Sequence, residues 1–344
     1  MGVDEQKPRP PGIAIALAGD VMLGRLVNDV IRGRGFGHPW GDILPVIRHS
    51  DLFLVNLECA LTAHTQHWTD GEEKAFYFRA DPPVVQTLQI SGVDFASLAN
   101  NHAGDFETAG LVETLRVLDG AGIAHAGAGR NLAEAALPAV LTADRYRIGI
   151  IAFTDYPVAW AAAPGRPGVN YTKVSIHPKH FGKIESGIRA ARALADLVIF
   201  SIHWGPNMVS RPSPEFKEFA RAVIDAGADV FWGHSAHVVH GVEVWHGKPI
   251  LYDTGDFVDD YMVDRDLRND LSALFLLHAR PPAVDEVELV PVKIDAMRVN
   301  RAHGAERDWF ARRFSGLCAE MSTPVRSSDE RLIIELQPAA VRSE

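Results

Sequence analysis

The sequence predicts an α/β fold in which two sheets pack face to face with helices outside. In the first half of the 344-residue chain, apolar runs alternate with segments of helical spacing, which is typical of strand–helix units. In the second half, apolar runs follow one another with few helices between them, so strands dominate. Several apolar runs also end abruptly in polar side chains, as strands do at the edge where α/β proteins build their sites.

Local patterns predict the elements one by one. Short apolar runs indicate strands, apolar positions three and four residues apart indicate helices, and Gly and Pro mark their ends. In chain order this predicts a strand at 12–19 with a loop and helix after it, a strand at 51–58, a long polar loop near the site at 62–75, a helix from Pro82 to about Ser91, a strand at 93–99, a helix at 107–122, a hairpin at 137–154, a Pro- and Gly-rich loop or lid at 157–172, a helix at 178–194, a strand at 196–203, a helix at 214–226, a strand at 228–233, strands at 271–279 and 285–294, and a closing helix at 306–319.

The same patterns set the expected domain organisation. We expect residues 1–11 to form a disordered lead-in and residues 12–344 to form one domain. The motifs described below fall within 12–261, and 262–344 is β-rich.

Composition narrows the function classes. The hydrophobic fraction of 47% is ordinary for a globular protein. The formal net charge of −10 excludes a broad nucleic-acid surface but permits hard cations. The two cysteines predict neither a thiolate metal site nor a disulfide framework. Because we find neither a signal peptide nor an apolar run long enough to span a membrane, we expect a cytoplasmic protein without a membrane partner.

Five strand ends carry side chains that bind metals or move protons. Because such ends meet at one edge of a sheet, we expect these side chains to converge on one centre of oxygen and nitrogen ligands. The segments are LAGDVMLGR at 17–25, LVNLE at 54–58, SLANNHAGD at 97–105, FSIHWG at 200–205 and FWGHSAH at 231–237.

Taken together, these motifs resemble the CapA (PGA-cap) family of poly-γ-glutamate synthesis proteins, which is similar in fold to the calcineurin-like metallophosphoesterases. The resemblance implies a four-layer α-β-β-α sandwich with metal ligands on loops at strand ends. The stretches that carry it are GDVMLGR at 19–25, NLE at 56–58, NNHAGD at 100–105, HWG at 203–205, GHSAHVVHGVE at 233–243 and GKPILYDTGDFVDDY at 247–261.

The resemblance, together with the pairing of His with Asp, implies a role for each site residue. The expected metal ligands are Asp20, Glu58, Asn101, His203 and His234. The residues expected to move protons are His102, Asp105, His237 and Asp256, because an Asp fixes the tautomer and pKa of its His. The residues expected to contact substrate are Arg25, Asn56 and Trp204.

Several of these assignments leave alternatives open. The sequence does not decide which of His234, His237 and His240 binds metal. Asp256 could be a turn residue beside Gly255. Arg25 could bind a substrate carboxylate or phosphate, or form an ordinary surface salt bridge.

Two departures from the phosphoesterase pattern bear on the metal count. The first motif of dinuclear enzymes is Asp-x-His, whereas Val21 and Met22 follow Asp20 here. Their last motif is Gly-His-x-His, whereas residues 233–237 read GHSAH. We therefore expect one divalent ion, which could be Ca, Mn, Mg or Zn, rather than a two-metal clamp.

Two His–Asp pairs beside a metal suit removal of a proton from one face of a carbon and its return on the other. We expect a metal-dependent enzyme that acts on a peptide or polyglutamate-like substrate by Cα epimerisation, a reaction assigned in lasso-peptide pathways of related proteins. The alternatives are hydrolysis of a phosphoester or γ-glutamyl amide, and a non-catalytic protein that holds polyglutamate. The sequence does not indicate the oligomeric state.

Overall fold

The structure is a computed structural model that describes residues 12–69 and 74–336. The predicted lead-in at 1–11 lies outside the described residues, as do residues 70–73 of the polar loop. Among the described residues, no helix is both long and apolar enough to cross a membrane.

The described residues form twenty strands and eight α-helices, with three short 3₁₀ segments. The strands are β1 Ile13–Val21, β2 Leu52–Leu57, β3 Ala60–Leu61, β4 Arg79–Ala80, β5 Phe95–Ser97, β6 Ala124–Ala126, β7 Ala128–Gly129, β8 Ala139–Ala143, β9 Tyr146–Thr154, β10 Gly168–Val169, β11 Leu197–His203, β12 Val230–His234, β13 Val242–Trp245, β14 Lys248–Leu251, β15 Asp256–Val258, β16 Leu271–Arg280, β17 Ala283–Asp295, β18 Arg298–Arg301, β19 Arg326–Ser328 and β20 Arg331–Glu335. The helices are α1 Arg25–Arg34, α2 Leu44–Ile47, α3 Val85–Ser91, α4 Glu107–Ala121, α5 Leu132–Ala135, α6 Pro178–Arg192, α7 Pro214–Asp225 and α8 Gly304–Ala319.

Two large sheets contain most of the strands. The first has the order β19-β20-β17-β16-β1-β2-β5-β6, with β15 also paired to β1 and β18 to β17. The second has the order β13-β14-β12-β11-β9-β8. In each sheet the strands nearest the site run parallel: β15, β1, β2 and β5 in the first, and β9, β11 and β12 in the second. Their carboxyl ends therefore lie along one edge of each sheet.

Three apolar layers hold the sheets and helices together. The inner layer joins the facing sides of the two sheets and contains residues such as Ile15, Leu54, Ile199 and Trp232. A second layer packs the other side of the first sheet against α1, α3 and α4, and a third packs the second sheet against α6 and α7. The predicted α/β class, two packed sheets flanked by helices, is confirmed.

Strand register places the polar residues of the strand ends side by side. In the first sheet, Asp20 lies opposite Asn56 on one neighbouring strand and Asp256 on the other. In the second sheet, His203 lies opposite His234. Apart from Asp256, which begins β15, these residues lie at or near the carboxyl ends of parallel strands, which is the edge where α/β sheets place ligands.

Most predicted elements are confirmed within a few residues, including the hairpin of β8 and β9 and the closing helix α8. Asp20 and His234 lie inside their strands rather than after them, whereas His203 ends its strand as predicted. The segment at 157–172 contains a 3₁₀ turn and β10, and its Trp160 is buried against Gly104. The expectation of a single domain stays a prediction.

Candidate metal centre

Side chains from both sheets meet in a buried polar cluster. The Nδ1 atoms of His203 and His234 lie 3.0 Å apart, and they lie 3.8 and 3.7 Å from Asp20 Oδ1. Glu58 Oε1 lies 3.7 Å from His203 Nε2. All four residues are at most 2% exposed. The two sheets thus bring two carboxylates and two imidazoles into one water-poor space.

Several donor atoms of this cluster have no hydrogen-bond partner among the described residues. They are Asp20 Oδ2, Glu58 Oε1 and His203 Nε2, each of them buried. A buried polar atom without a hydrogen bond is costly, and native structures rarely leave several together without a ligand. Carboxylate oxygens and neutral imidazole nitrogens are a donor set that suits a divalent cation. The residues present therefore fit a metal ion.

Ser201 orients His234 by contacting Nε2, the ring nitrogen other than the one near Asp20. Its hydroxyl lies 3.0 Å from His234 Nε2 and 3.4 Å from the hydroxyl of Ser97. If Ser201 donates its own proton to Ser97, it accepts the Nε2–H of His234, and the lone pair of His234 Nδ1 then faces Asp20. Such a hydrogen bond on the far nitrogen is the usual support of a metal-binding histidine. This contact favours His234 as a ligand.

Donor atoms form two sets of three that share Asp20. One atom each of Asp20, His203 and His234 lie within 4.8 Å of one another, and so do one atom each of Asp20, Glu58 and His237. The two sets use different sides of the shared carboxylate: the first faces Oδ1, while His237 Nδ1 lies 3.4 Å from Oδ2.

Burial and charge shift the pKa of each group in the cluster. Burial lowers the pKa of His203 well below its usual value and that of His234 to about 4. Burial raises the pKa of Asp20, but the nearby imidazoles of His237, His203 and His234 outweigh this and hold it below its usual range. Burial and then the charge of Asp20 raise the pKa of Glu58 well above its usual range. The two imidazoles are therefore neutral at pH 7, as metal binding requires.

His102 and Asp105 form the first of two His–carboxylate pairs. His102 Nδ1 lies 2.6 Å from Asp105 Oδ2, and His102 Nε2 faces Glu58 Oε1 at 3.9 Å. The ring stacks on Phe78 with centroids 3.7 Å apart. Burial lowers the pKa of His102 to about 4, so this imidazole is a neutral proton acceptor at pH 7.

Lys74 holds this pair in place. Its Nζ lies 2.5 Å from Asp105 Oδ1 and 3.4 Å from His102 Nδ1, and it also contacts the carbonyl oxygen of Asn101. Asp105 Oδ2 additionally accepts the Phe78 N–H at 2.7 Å. Asp105 is therefore bound from both oxygens, which fixes its orientation toward His102.

His237 and Asp256 form the second pair. His237 Nδ1 lies 2.8 Å from Asp256 Oδ1, and its ring meets that of Tyr261 edge-on. Burial lowers the pKa of His237, but Asp256, Glu58 and Asp20 outweigh this and raise it well above the usual range. This imidazole therefore favours the protonated form, the opposite of His102.

Three asparagines support the centre in different ways. Asn56 Nδ2 donates to Asp20 Oδ1 at 2.7 Å, and Asn56 Oδ1 accepts from Asn100 at 3.1 Å. Both are fully buried, so Asn56 orients Asp20 and has no free group for the substrate contact that the sequence suggests. Asn101 Oδ1 is buried without a partner among the described residues, which suits its predicted role as a ligand.

The structure places Trp204 away from the cluster. Its ring packs against Phe216 and Phe231 in the third apolar layer, between the second sheet and the helices α6 and α7. Its Nε1 donates to the carbonyl of Tyr252 at 3.0 Å. Its predicted contact with substrate does not fit this position, because the side chain is 3% exposed and its only polar atom is occupied.

Two further residues from the sequence motifs also have other roles. His240 Nε2 lies 2.6 Å from the carbonyl of Val209, whereas His237 is the one that meets Asp256. Asp253 accepts the N–H groups of Ala236 and Gly255 and so holds the loop that carries His237.

Sequence reasoning missed Lys74, Ser201 and Tyr261. Lys74 lies in a polar loop without periodicity, so nothing local indicates that it turns inward. Tyr261 donates to Glu58 Oε2 at 3.1 Å across 203 positions of sequence, a distance that no motif reveals. Ser201 could have been found, because it lies two residues before His203 on the same strand and so faces the same side.

Comparison with known proteins identifies the family. The sequence profile of the family described as bacterial capsule synthesis protein PGA_cap matches residues 14–261. The chain belongs to this family. The predicted resemblance to CapA proteins is therefore confirmed.

The relatives of this PGA_cap protein include three with descriptive names. A probable polyglutamine synthesis accessory protein of Mycobacterium tuberculosis (strain H37Rv) is 30% identical over 377 residues, which cover 96% of this chain and 97% of that protein. The capsule biosynthesis protein CapA of Bacillus anthracis is 28% identical in an alignment that covers 82% of this chain and 67% of that protein. The PGA biosynthesis protein CapA of Bacillus subtilis is 29% identical, with 82% and 72% covered.

Proposed function

We propose that this PGA_cap protein is a metal-dependent enzyme that inverts the α-carbon of a residue in a polyglutamate or peptide chain. The observation that carries the proposal is the presence of two His–carboxylate pairs at one buried donor cluster. His102 with Asp105 approaches from the first sheet at Glu58, and His237 approaches from the second sheet at Asp20. Inversion requires a base on one face of the carbon and an acid on the other.

The residues proposed to hold the ion are Asp20, His203 and His234, with Glu58 and Asn101 completing the donor set. A divalent cation in this set would supply a Lewis acid that polarises a substrate carbonyl. Asn56 and Ser201 orient two of these ligands. His237 is left for proton transfer, because it pairs with Asp256 in the way that His102 pairs with Asp105.

In the proposed reaction, His102 removes the α-proton through Nε2 while Asp105 and Lys74 hold its ring. His237 returns a proton to the opposite face and is oriented by Asp256. The substrate class is taken from the relatives, whose names refer to polyglutamine, capsule and PGA synthesis.

Deuterium exchange tests the proposal directly. An oligomer of L-glutamate is incubated in heavy water with the metal-loaded protein, and the products are analysed by mass spectrometry and chiral amino-acid analysis. We expect deuterium at the α-carbon together with D-glutamate. In the His102→Gln and His237→Gln variants we expect a loss of about 100-fold or more, with bound metal retained in His102→Gln. Absence of exchange by the metal-loaded wild type contradicts the proposal.

A second candidate, hydrolysis of a phosphoester or γ-glutamyl amide, is favoured by one observation. The two donor sets that share Asp20 would suit two cations, which is the arrangement that clamps attacking and leaving oxygens in hydrolases. Release of phosphate from a chromogenic ester, or shortening of a γ-glutamyl oligomer without α-deuterium, identifies this activity. Binding of the oligomer with neither reaction would instead indicate a non-catalytic polyglutamate-binding protein.

A further inference from the structure

Arg25 is the first residue of α1 and lies beside the cluster. Gly24 packs against the segment that carries Phe78, because a Cβ at Gly24 would lie 2.8 Å from the backbone nitrogen of Arg79. The guanidinium carbon of Arg25 lies 5.2 Å from the ring centroid of Phe76 and 5.5 Å from that of Phe78. Two aromatic rings therefore flank this cation.

Asp260 fixes the same side chain from the other end. Its Oδ2 lies 3.3 Å from Arg25 Nε and also accepts the Leu26 N–H at 3.0 Å. The salt bridge thus uses the nitrogen nearest the side-chain stem. The two terminal guanidinium nitrogens make no hydrogen bond to any residue that the structure describes, and the Arg25 side chain is 34% exposed.

The backbone at Arg25 is strained in a way that fits a functional position. Its φ is +52°, a region that non-glycine residues seldom adopt and that costs of order 1 kcal/mol or more. Strained residues of this kind cluster at ligand-binding sites, where surrounding contacts hold them. Here the contacts from Asp260 to Leu26 and to Arg25 supply that support.

Phe78 links Arg25 to the first His–carboxylate pair. One face of the Phe78 ring stacks on His102 at 3.7 Å, and the same ring lies 5.5 Å from the guanidinium carbon of Arg25. Those two distances laid end to end put the guanidinium within about 9 Å of the His102 ring. Because an extended chain spans about 3.5 Å per residue, a group held by Arg25 and a carbon that His102 reaches lie within a few residues of each other on one substrate chain.

We propose that Arg25 binds a carboxylate of the substrate and so selects an anionic glutamyl chain over a neutral one. This inference rests on the function proposed above and names its substrate class. The two terminal N–H groups of arginine match the two oxygens of a carboxylate. A fixed local cation is needed because the chain as a whole carries a net charge of −10, which repels a polyanion. Both α-linked and γ-linked glutamyl chains carry the required carboxylate.

Binding of defined oligomers tests the proposal without any turnover. Fluorescein-labelled hexaglutamate in α- and γ-linked forms and labelled hexaglutamine are titrated with the metal-loaded protein at low and moderate salt. In Arg25→Gln we expect the anionic probe of the preferred linkage to bind about tenfold more weakly or worse, since a charged hydrogen-bonded pair is lost, while hexaglutamine changes less than about threefold. Arg25→Lys keeps the charge but loses the fork, so we expect an intermediate loss.

Arg34→Gln is the matched control, because Arg34 is an exposed arginine on the same helix. It should bind all probes as the wild type does, and thermal melting verifies that each variant is folded. Equal weakening of anionic and neutral probes in Arg25→Gln, no weakening at all, or no saturable binding of either hexaglutamate to the wild type overturns the proposal. Deuterium exchange separates the two claims. Selective binding of the anionic probe without α-deuterium exchange contradicts only the proposed epimerase function. Exchange at the same rate in the wild type and in Arg25→Gln contradicts only the proposed role of Arg25.

Discussion

At the scale of single residues, the centre depends on side chains that support other side chains. Ser201, Asn56 and Lys74 each contact a proposed ligand or proton carrier through hydrogen bonds or an ion pair. Such supporting contacts fix ring tautomers and carboxylate orientations. Substituting them tests the geometry without removing the donor atoms themselves.

Ser201→Ala should weaken metal binding. Without the hydroxyl, nothing holds the proton of His234 on Nε2, so the tautomer with a free Nδ1 loses its preference. Loss of such a supporting contact typically costs about 10–100-fold in metal affinity, and competition with a chelating dye measures it. The control is Ser97→Ala, which removes only the partner of Ser201 and should have a smaller effect. An affinity equal to that of the wild type would show that Ser201 does not set the tautomer.

Lys74→Met should release the loop from Asp105. The variant leaves Asp105 Oδ1 without its ammonium partner, so the segment that reaches Phe78 should open more often. Hydrogen exchange of the Phe78 N–H, which donates to Asp105, should speed up by about tenfold or more, since a lost charged contact is worth 1.5–3 kcal/mol. Lys74→Arg retains the charge and should restore most of the protection. Unchanged exchange in Lys74→Met contradicts the proposed clamp.

At the scale of elements, strand ends and the turns after them position the site. The turn at 102–105 is held by Trp160, whose ring lies where a side chain on Gly104 would have to be: a Cβ there would come within 2.8 Å of the ring. This contact restricts the turn that carries His102 and Asp105.

Gly104→Ala should destabilise the protein. The added methyl group overpacks the contact with Trp160, at a typical cost of about 1–3 kcal/mol. Gly120→Ala is the matched control, because Gly120 is an exposed residue of α4 whose added methyl group would meet nothing within 4 Å. That change should stabilise by about 0.5–1 kcal/mol through helix propensity. Urea denaturation measures the unfolding free energy of both variants. Equal changes in the two variants would mean that the Trp160 ring moves aside without strain.

Asp155 connects the ends of β9 and β11 and predicts a pH effect on stability. Its Oδ2 accepts the Gly205 N–H at 3.0 Å, and burial raises its pKa from 3.8 to about 6. A raised carboxyl pKa means that the folded state holds the proton more tightly. The stability this contributes is complete below about pH 4 and is lost as the pH rises through about 6.

Asp155→Asn removes this titration while the amide oxygen can still accept the Gly205 N–H. Relative to the wild type, the variant should therefore gain up to about 3 kcal/mol of unfolding free energy between pH 4 and pH 8, because folding raises the pKa of Asp155 from 3.8 to about 6. Denaturation at both pH values measures this gain. A difference between the two proteins that does not change with pH would contradict the assigned burial effect.

The elements and their order could be predicted because each depends on local pattern. Apolar runs, helical spacing and Gly or Pro ends are all short-range signals, and parallel strand ends then meet by topology. The direction in which a side chain points at the end of a strand is harder to predict. Trp204 follows His203 by one residue, so strand alternation points it to the opposite face, where the structure places it. Lys74 and Tyr261 could not be predicted, since loop conformation decides where they point.

At the scale of the whole molecule, the site is a property of two sheets together. The first sheet supplies Asp20, Asn56 and Asp256, and the second supplies His203 and His234. The inner apolar layer, which joins both sheets, sets their separation and therefore the distances within the cluster. The proposed role in polyglutamate or capsule synthesis rests on family membership. The proposed chemistry rests on the donor atoms of the cluster.

The central claim is that this convergence holds a metal ion, and metal content tests it most directly. The chelator-treated wild type and Asp20→Ala are each equilibrated with Mn²⁺ or Zn²⁺, desalted and measured by elemental analysis, with thermal melting before and after loading. We expect the wild type to retain at least one ion per chain and to melt at a higher temperature when loaded, and Asp20→Ala to lose both effects. A wild type that retains no ion, or an Asp20→Ala variant that retains as much as the wild type, would contradict the account.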